Sequence, residues 1–450
     1  MKTKFFLFLL LVAATQMKAN NMLVKNVTTT GNNATNKTIQ VQFDMSWDNS
    51  WRDAINWDAA WVFMKYKDAN GLWQHVQLNT TGFANGTGTA NTIQVGSDKV
   101  GAFVYRSAAG TGTFASTTMQ MQWNYGLSGL TSVTGLEVRV FAIEMVYVPQ
   151  GDFNIAKGFY VIPSNCCGND GFNGLFNAPG NNFPVINTRL TPTLSYVITS
   201  PNGNSGITAT SSSIRIKGDA GIDTNNDGVV DNTTYPTGYN AFYSYKYEMS
   251  EQQYADFLNT LTATQITTLG VAGSSITLTN GQYFTSTPNR ACGNSNANRL
   301  FAYADWSGVR PMSLLEYNKA TYGPFIPIEA NIFGFTSYTA SGTAVGELNN
   351  SNGQPVINNV GYLASSTSSR QETGASYYGI MDLTAVNTSE PVIKLNYFNY
   401  TNQNGNGVLG STGVSDISNW TATNTVLFID QSESVYGTGF YGFRYVRSAE

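Results

Sequence analysis

The chain has 450 residues, with 24 Lys and Arg against 28 Asp and Glu, so its formal net charge at neutral pH is −4. With 12% charged residues and no basic excess, it lacks the electrostatic features of a nucleic-acid-binding protein. The length is enough for two or three domains, and the many Gly, Tyr, Phe, Asn and Thr residues are typical of a strand-rich and loop-rich extracellular protein.

The first residues predict a secretory signal peptide, residues 1–19. Lys2 and Lys4 precede an apolar run over residues 5–14, and the small residue Ala19 lies near a plausible cleavage point. This apolar run is too short to cross a bilayer, which needs about 20 residues in a helix. We therefore predict a secreted or cell-surface protein with no membrane span.

Residues 20–143 have the pattern of a separate all-β domain. Ile39, Val41, Phe43 and Met45 alternate with polar residues, which is the period-2 signal of a half-buried strand. Similar alternation recurs at residues 61–66, 119–123 and 138–141. About seven short strands separated by Asn- and Gly-rich turns predict an antiparallel sandwich of immunoglobulin-like type.

A cluster of tryptophans lies near the start of this domain, at Trp47, Trp51, Trp57 and Trp61. Such a cluster could stack against carbohydrate, or it could form a core corner and an interdomain contact. The second interpretation is favoured because Trp is mostly buried on average.

Residues 223–231, DTNNDGVVD, have the spacing of an extracellular calcium loop. Oxygen ligands at alternate positions and a Gly that permits a sharp turn suit a hard cation. The predicted calcium ligands are Asp223, Asn225, Asp227, Val229 and Asp231. Thr234 stands where an EF-hand would have a bidentate Glu, so a plain polar turn is the alternative.

Residues 300–322 predict a helix, a tight break and a second helix. Apolar residues at helical spacing end at Gly308, and Pro311 requires the residue before it to be extended. Ser313 and Glu316 then have the spacing of a capping box for the second helix.

Five segments, in this order, resemble the formylglycine-generating enzyme family, also called the sulfatase-modifying-factor family. They are EMVYVPQGDF (144–153), YKYEMSEQQYADFL (245–258), FAYADWSGVRPMSLLEYNKATY (301–322), YGIMDL with NTSE (378–383 and 387–390), and GFRYVR (442–447). The resemblance implies that residues 144–450 adopt an α+β fold, similar to the C-type lectin fold, with little regular structure and a long insertion at about residues 154–242.

The chemistry of the family is not retained. Its oxidising members use a pair of Cys near the C-terminus, yet residues 392–441 contain no Cys, and the one His of the chain, His75, lies in the predicted sandwich. We interpret His75 as a strand-face residue rather than a metal ligand.

The carboxylates that remain in the resembling segments are Asp305, Glu316, Asp382 and Glu390. Structural roles suit them better than catalytic ones: Glu316 as a cap, and Asp382 as a buried partner of Arg310 or Arg444. The resemblance also implies a calcium position at Asn387 and Glu390.

Three cysteines, Cys166, Cys167 and Cys292, follow the signal peptide. A bridge from Cys292 to one of the adjacent pair, a vicinal disulfide and three free thiols all remain open.

We expect a secreted, non-catalytic binding or surface-structural protein that acts in adhesion, matrix or envelope assembly, with a glycan or protein ligand. The segment 396–404 is rich in Tyr and Asn, which suit adaptable recognition surfaces, although it could be an ordinary polar loop. Its candidate binding residues are Tyr397, Asn399, Tyr400 and Asn402. The alternatives are a secreted enzyme with carboxylate-based chemistry and a self-assembling filament subunit.

Overall fold

The computed structural model of the protein describes residues 21–155, 196–198, 200–201, 231–273, 275–293, 296–324, 360–361, 375–382, 390–393, 399–420, 426–429 and 443–450. In these residues the fold is β-rich, with few helices. The predicted signal peptide and most of the predicted insertion lie outside them. None of the helices in the described segments combines the length and the apolar character needed to cross a membrane.

Residues 21–148 form two antiparallel sheets that pack face to face. Their strands are β1 (Leu23–Asn33), β2 (Thr38–Arg52), β3 (Asp58–Lys67), β4 (Trp73–His75), β5 (Thr87–Gly88), β6 (Asn91–Val95), β7 (Gly101–Arg106), β8 (Gly110–Asn124) and β9 (Glu137–Val148). The first sheet has the strand order β1-β2-β8-β5, and β6, β7, β3 and β9 belong to the second. The core between them includes Val41, Phe43, Val62, Met121 and Trp123.

The remaining described segments add short strands and four helices. They are β10 (Phe153–Ile155), β11 (Tyr196–Ile198), β12 (Phe242–Tyr245), α1 (Glu251–Leu258), α2 (Ala263–Leu269), β13 (Ile276–Thr279), β14 (Gln282–Thr285), α3 (Ala297–Ser307), β15 (Arg310–Ser313), α4 (Leu314–Tyr322), β16 (Glu390–Ile393), β17 (Val426–Ile429) and β18 (Tyr445–Ser448).

One sheet continues from the first part of the chain into the second. Its strand order is β17-β16-β15-β18-β12-β9-β3-β7-β6, with β4 paired to β3. Strand β9 pairs with β3 on one side and with β12 on the other. The predicted domain boundary between residues 143 and 144 therefore falls inside β9, because this strand serves both parts of the chain.

Strand β2 follows the predicted alternation, whereas β3 does not. Val41, Phe43 and Met45 are buried between half-buried polar neighbours, as the period-2 pattern predicts. Every residue of β3 from Asp58 to Tyr66 is buried. Residues 61–66 do form a strand, but the prediction that it is half-buried is wrong, because helix α3 and its neighbours cover the second face of this sheet.

Helix α3 ends and helix α4 begins where local sequence signals predict. Ser250 and Ser313 each form a capping box, and Glu316 is the reciprocal partner of Ser313. Helix α3 ends at Gly308, which has a φ of 74°. A side chain at that position would also meet Val100 at 2.5 Å, so Gly allows α3 to approach the sheet closely.

A buried ion cluster joins the two parts of the chain. Lys246 Nζ lies 3.1 Å from Asp58 Oδ2 and 3.2 Å from Glu144 Oε2. Asp58 also accepts hydrogen bonds from Trp47 Nε1 at 2.9 Å and from Ser50 Oγ at 3.0 Å. Burial raises the pKa of Glu144 to about 7, and the nearby Lys246 ammonium only partly opposes this effect.

The Glu144 pKa predicts a pH-dependent stability difference. The pKa of Glu144 is raised from 4.5 to about 7 in the folded state, so between these pH values the folded state holds a proton that the unfolded state has lost. The contribution of Glu144 to the free energy of unfolding is therefore highest below pH 4.5 and falls as the pH rises through 7. We expect Glu144→Gln, measured by urea unfolding, to gain stability relative to wild type between about pH 4 and about pH 8, by at most ~3 kcal/mol.

The control for this experiment is Glu137→Gln, on the same strand, where the carboxylate is exposed and pairs with Arg139. It should change the free energy of unfolding by less than about 1 kcal/mol, because an exposed ion pair contributes little to stability. A Glu144→Gln difference that stays constant across the pH range would contradict the assigned pKa.

Candidate functional site

The loop of residues 399–420, hereafter the 399–420 loop, contains residues 399–404, the described part of the predicted binding segment. Its first residues are tied to the sheet. Tyr400 donates from its hydroxyl to the carbonyl of Pro311 at 2.6 Å. Ser448 donates from Oγ to the carbonyl of Asn402 at 3.0 Å, and its backbone N–H donates to Asn404 Oδ1 at 3.1 Å. The first part of the loop is therefore held by β15 and β18.

Asp305, from helix α3, holds the second part of the loop. Its buried carboxylate accepts hydrogen bonds from the backbone N–H of Asn406 and of Asp416, each at 3.0 Å, and from Ser415 Oγ at 2.7 Å. Its backbone carbonyl accepts from the N–H of Gly407 at 2.9 Å. Burial raises the pKa of Asp305 to about 6, although these hydrogen bonds act in the opposite direction.

Glu316 forms a buried, bidentate ion pair with Arg310, with N–O distances of 2.8 and 2.6 Å. Its Oε2 also accepts from the backbone N–H of Ser313 at 3.0 Å, which completes the capping box. Arg310 therefore has Glu316 as its partner, whereas the sequence had suggested Asp382 as a partner of Arg310 or of Arg444. Arg444 donates to the carbonyls of Tyr245 and Met381.

His75 lies on β4 in a buried polar chain rather than at an open site. Its Nε2 is 2.7 Å from the carbonyl of Val100, which requires Nε2 to carry the proton. Its Nδ1 then accepts from Lys65 Nζ at 3.1 Å, and Lys65 also donates to the carbonyls of Trp306 and Gly407. Burial lowers the pKa of both His75 and Lys65. This arrangement holds the sandwich against α3 and the 399–420 loop.

The predicted calcium sites are largely outside the described residues. This applies to Asp223, Asn225, Asp227, Val229 and Asn387, whereas Asp231 begins a described segment and Glu390 begins β16. Within the described segments, no group of three or more His, Cys, Asp or Glu side chains could hold a metal ion. Calcium binding stays a prediction from the sequence.

The predicted binding residues differ in their exposure to solvent. Asn399 and Asn402 are exposed on the 399–420 loop, and Tyr397 lies outside the described residues. Tyr400 is fully buried, because its hydroxyl finds a partner inside the fold, so it is not available to a ligand at the surface. The prediction for Tyr400 is therefore wrong.

Cys292 is buried and carries a free thiol, whose pKa is raised by burial. Cys166 and Cys167 lie outside the described residues. A disulfide from Cys292 is thus not formed in this structure.

The tryptophan cluster divides into core residues and a half-buried patch. Trp47 and Trp61 are buried, and Trp61 Nε1 donates to the carbonyl of Ser307 on α3 at 2.8 Å. Trp57 Nε1 contacts Tyr243 Oη on β12 at 3.3 Å. These contacts form the core corner and the contact between the two parts of the chain that the sequence favoured.

Trp57 also belongs to a row of aromatic residues that the sequence did not predict. Its ring stacks on that of Tyr147, with centroids 4.1 Å apart and an angle of 7°, and lies 5.5 Å from the ring of Tyr105. The guanidinium of Arg52 covers Trp57, at 4.1 Å from its ring centroid. All four side chains are half-buried. We call Arg52, Trp57, Tyr105 and Tyr147 the Arg52 patch.

The Arg52 patch could not be predicted from the sequence, because its residues are far apart along the chain. Arg52 and Trp57 are five positions apart, but Tyr105 and Tyr147 come from β7 and β9 and meet Trp57 only through the pairing of the sheet. The alternation of β9 was the one local signal that could have indicated on which face Tyr147 lies.

No family model matches this chain, and no curated protein or solved structure is detectably similar to it. The resemblance to the formylglycine-generating enzyme family therefore stays a prediction from the motifs.

The contacts of Asp305 predict that it fixes the second part of the 399–420 loop. Asp305→Ala removes a buried acceptor of three hydrogen bonds and leaves their donors without a partner, so we expect a loss of about 3 kcal/mol in the free energy of unfolding. Hydrogen exchange of residues 405–416 should accelerate more than that of β2.

Asp416→Ala is the matched control, because the Asp416 side chain is exposed and accepts a hydrogen bond from Asn406 Nδ2 at the surface of the same loop. It should cost little stability. If Asp305→Ala left exchange in the loop unchanged, the anchoring role would be refuted.

Proposed function

We propose that this chain is a secreted, non-catalytic binding or surface-structural protein that acts in adhesion, matrix or envelope assembly. In this proposal an immunoglobulin-like sandwich packs against a lectin-like scaffold related to the formylglycine-generating enzymes. The ligand is an extracellular glycan or protein, bound by exposed side chains of loops that the scaffold holds in place.

The observation that carries the proposal is the engagement of the Asp305 carboxylate. Catalysis by a carboxylate needs an oxygen that can reach a substrate, whereas Asp305 is fully buried and accepts three hydrogen bonds from the 399–420 loop. Glu316 is likewise buried in its ion pair with Arg310. Both carboxylates thus support the presentation of a loop rather than a reaction.

The enzyme alternative has less support for the same reason. To take part in carboxylate-based chemistry, Asp305 or Glu316 would have to leave its partners. The ion pair of Arg310 and Glu316 is bidentate and desolvated, and breaking such a pair by removing one partner typically costs about 3–5 kcal/mol.

The filament alternative is opposed by the shape of β1, an edge strand of the first sheet. Its pairing with β2 has a register shift between Lys25 and Thr28, and Asn26 has a φ of 53°. The side chain of Asn26 donates to Asp44 on β2, which stabilises the irregularity. Such bulges interrupt the edge and discourage pairing with another chain.

The proposal predicts binding without turnover. The purified full-length mature protein should bind isolated cell envelopes or an extracellular glycan in a co-sedimentation assay, and Asn399→Ala with Asn402→Ala should weaken that binding by about tenfold. Asn70→Ala, at an exposed turn of the sandwich, is the control and should bind as wild type does.

The same preparation should be tested for cysteine-to-formylglycine conversion and for copper binding. Robust turnover in this assay would contradict the non-catalytic proposal, as would the absence of binding to every envelope and glycan preparation.

A further inference from the structure

The Arg52 side chain is positioned in advance by its neighbours. Its guanidinium lies 4.1 Å from the ring centroid of Trp57 and 5.2 Å from that of Tyr105. Its Nη1 donates to the carbonyl of Arg106 at 3.0 Å, which fixes the plane of the group. Because Tyr147 stacks on Trp57, the platform under Arg52 is itself held in place.

Other buried or half-buried cations of the described segments are of two kinds: some, such as Lys65 and Lys319, are held by backbone carbonyls, and others pair with a carboxylate. Lys246, Arg310 and Arg447 each have a carboxylate partner, and Arg139, which stacks over Trp73 at 4.4 Å, pairs with Glu137. Among the described residues, no ion pair involves Arg52. In this part of the chain, the patch thus holds an ordered guanidinium without a carboxylate partner.

We propose that the Arg52 patch binds an acidic sugar residue of an extracellular polysaccharide. The carboxylate of a uronate would pair with the remaining N–H groups of Arg52, a geometry for which a planar guanidinium is suited. The sugar ring would lie against the half-buried rings of Tyr105 and Tyr147. This inference rests on the proposed binding role and specifies its ligand class.

The pairing of the strands favours a glycan over a peptide. Arg52 ends β2, Trp57 directly precedes β3, and Tyr105 and Tyr147 lie on β7 and β9. Their backbones are already paired within the sheets, because Arg52 pairs with β8 and bridges Trp57, Tyr105 pairs with β6, and Tyr147 pairs with β12. An extended peptide gains much of its affinity from backbone pairing at a sheet edge, which this surface does not offer. Recognition must therefore come from side chains, as in binding to a sugar.

The test uses the full-length protein and an oligogalacturonate as the uronate probe, with affinity measured by isothermal titration calorimetry. Arg52→Gln should weaken binding by about tenfold or more, and Arg52→Lys should lose part of the affinity because Lys cannot form a bidentate pair. The matched control is Arg139→Gln, which also removes a guanidinium stacked on a Trp and should leave affinity unchanged. Methyl esterification of the probe should abolish binding.

The midpoint of thermal unfolding, measured for each variant, separates a binding defect from a folding defect. If Arg52→Gln unfolds at the wild-type temperature and binds oligogalacturonate as wild type does, the site assignment is wrong. Equal binding of polyglutamate would refute the glycan class in favour of an acidic peptide. If oligogalacturonate does not bind but cell envelopes do, this inference fails while the proposed binding role stands.

Discussion

Strand β3 lies between two apolar layers, and the association of the two parts of the chain follows from that position. On one face Val62 and Met64 pack into the core shared with β2 and β8, and on the other Trp61 and Phe63 pack with α3 and its surroundings. Burying side chains of this size stabilises a fold by about 1.5–3 kcal/mol each. A sandwich of residues 20–143 alone would expose Trp61, Phe63 and Phe103 as a continuous apolar patch, so its stability depends on the rest of the chain.

A strand buried on both faces can contain charged residues only if each one meets a partner, and the buried stretch of β3, Asp58 to Tyr66, contains two such residues. Asp58 is met by Lys246, and Lys65 by two backbone carbonyls and His75. An unpaired charge in either position would cost several kcal/mol. Because both sets of partners include residues of the second part of the chain, these contacts favour one docking position and disfavour others.

Sequence patterns correctly predicted the features that depend only on residues close together in the sequence. The alternation of β2 and the capping box at Ser313 are local, and the structure confirms them. The complete burial of residues 61–66 could not be predicted, because the alternation in that segment does not say what covers its second face. The prediction that Tyr400 binds a ligand was wrong for a related reason. Tyr is common on binding surfaces, but the position of this Tyr depends on a partner, Pro311, that is distant in sequence.

Arg52 is a half-buried cation in a chain that has few charged residues. Few residues of the chain are charged, and several of them, including Asp305, Arg310 and Glu316, are buried in structural contacts. The Arg52 guanidinium is half-buried on aromatic rings, so its charge is less screened than that of a fully solvated side chain. The 399–420 loop, by contrast, presents the uncharged amides of Asn399 and Asn402. The two surfaces therefore differ in kind, because the Arg52 patch presents a cation and the loop presents neutral hydrogen-bonding groups.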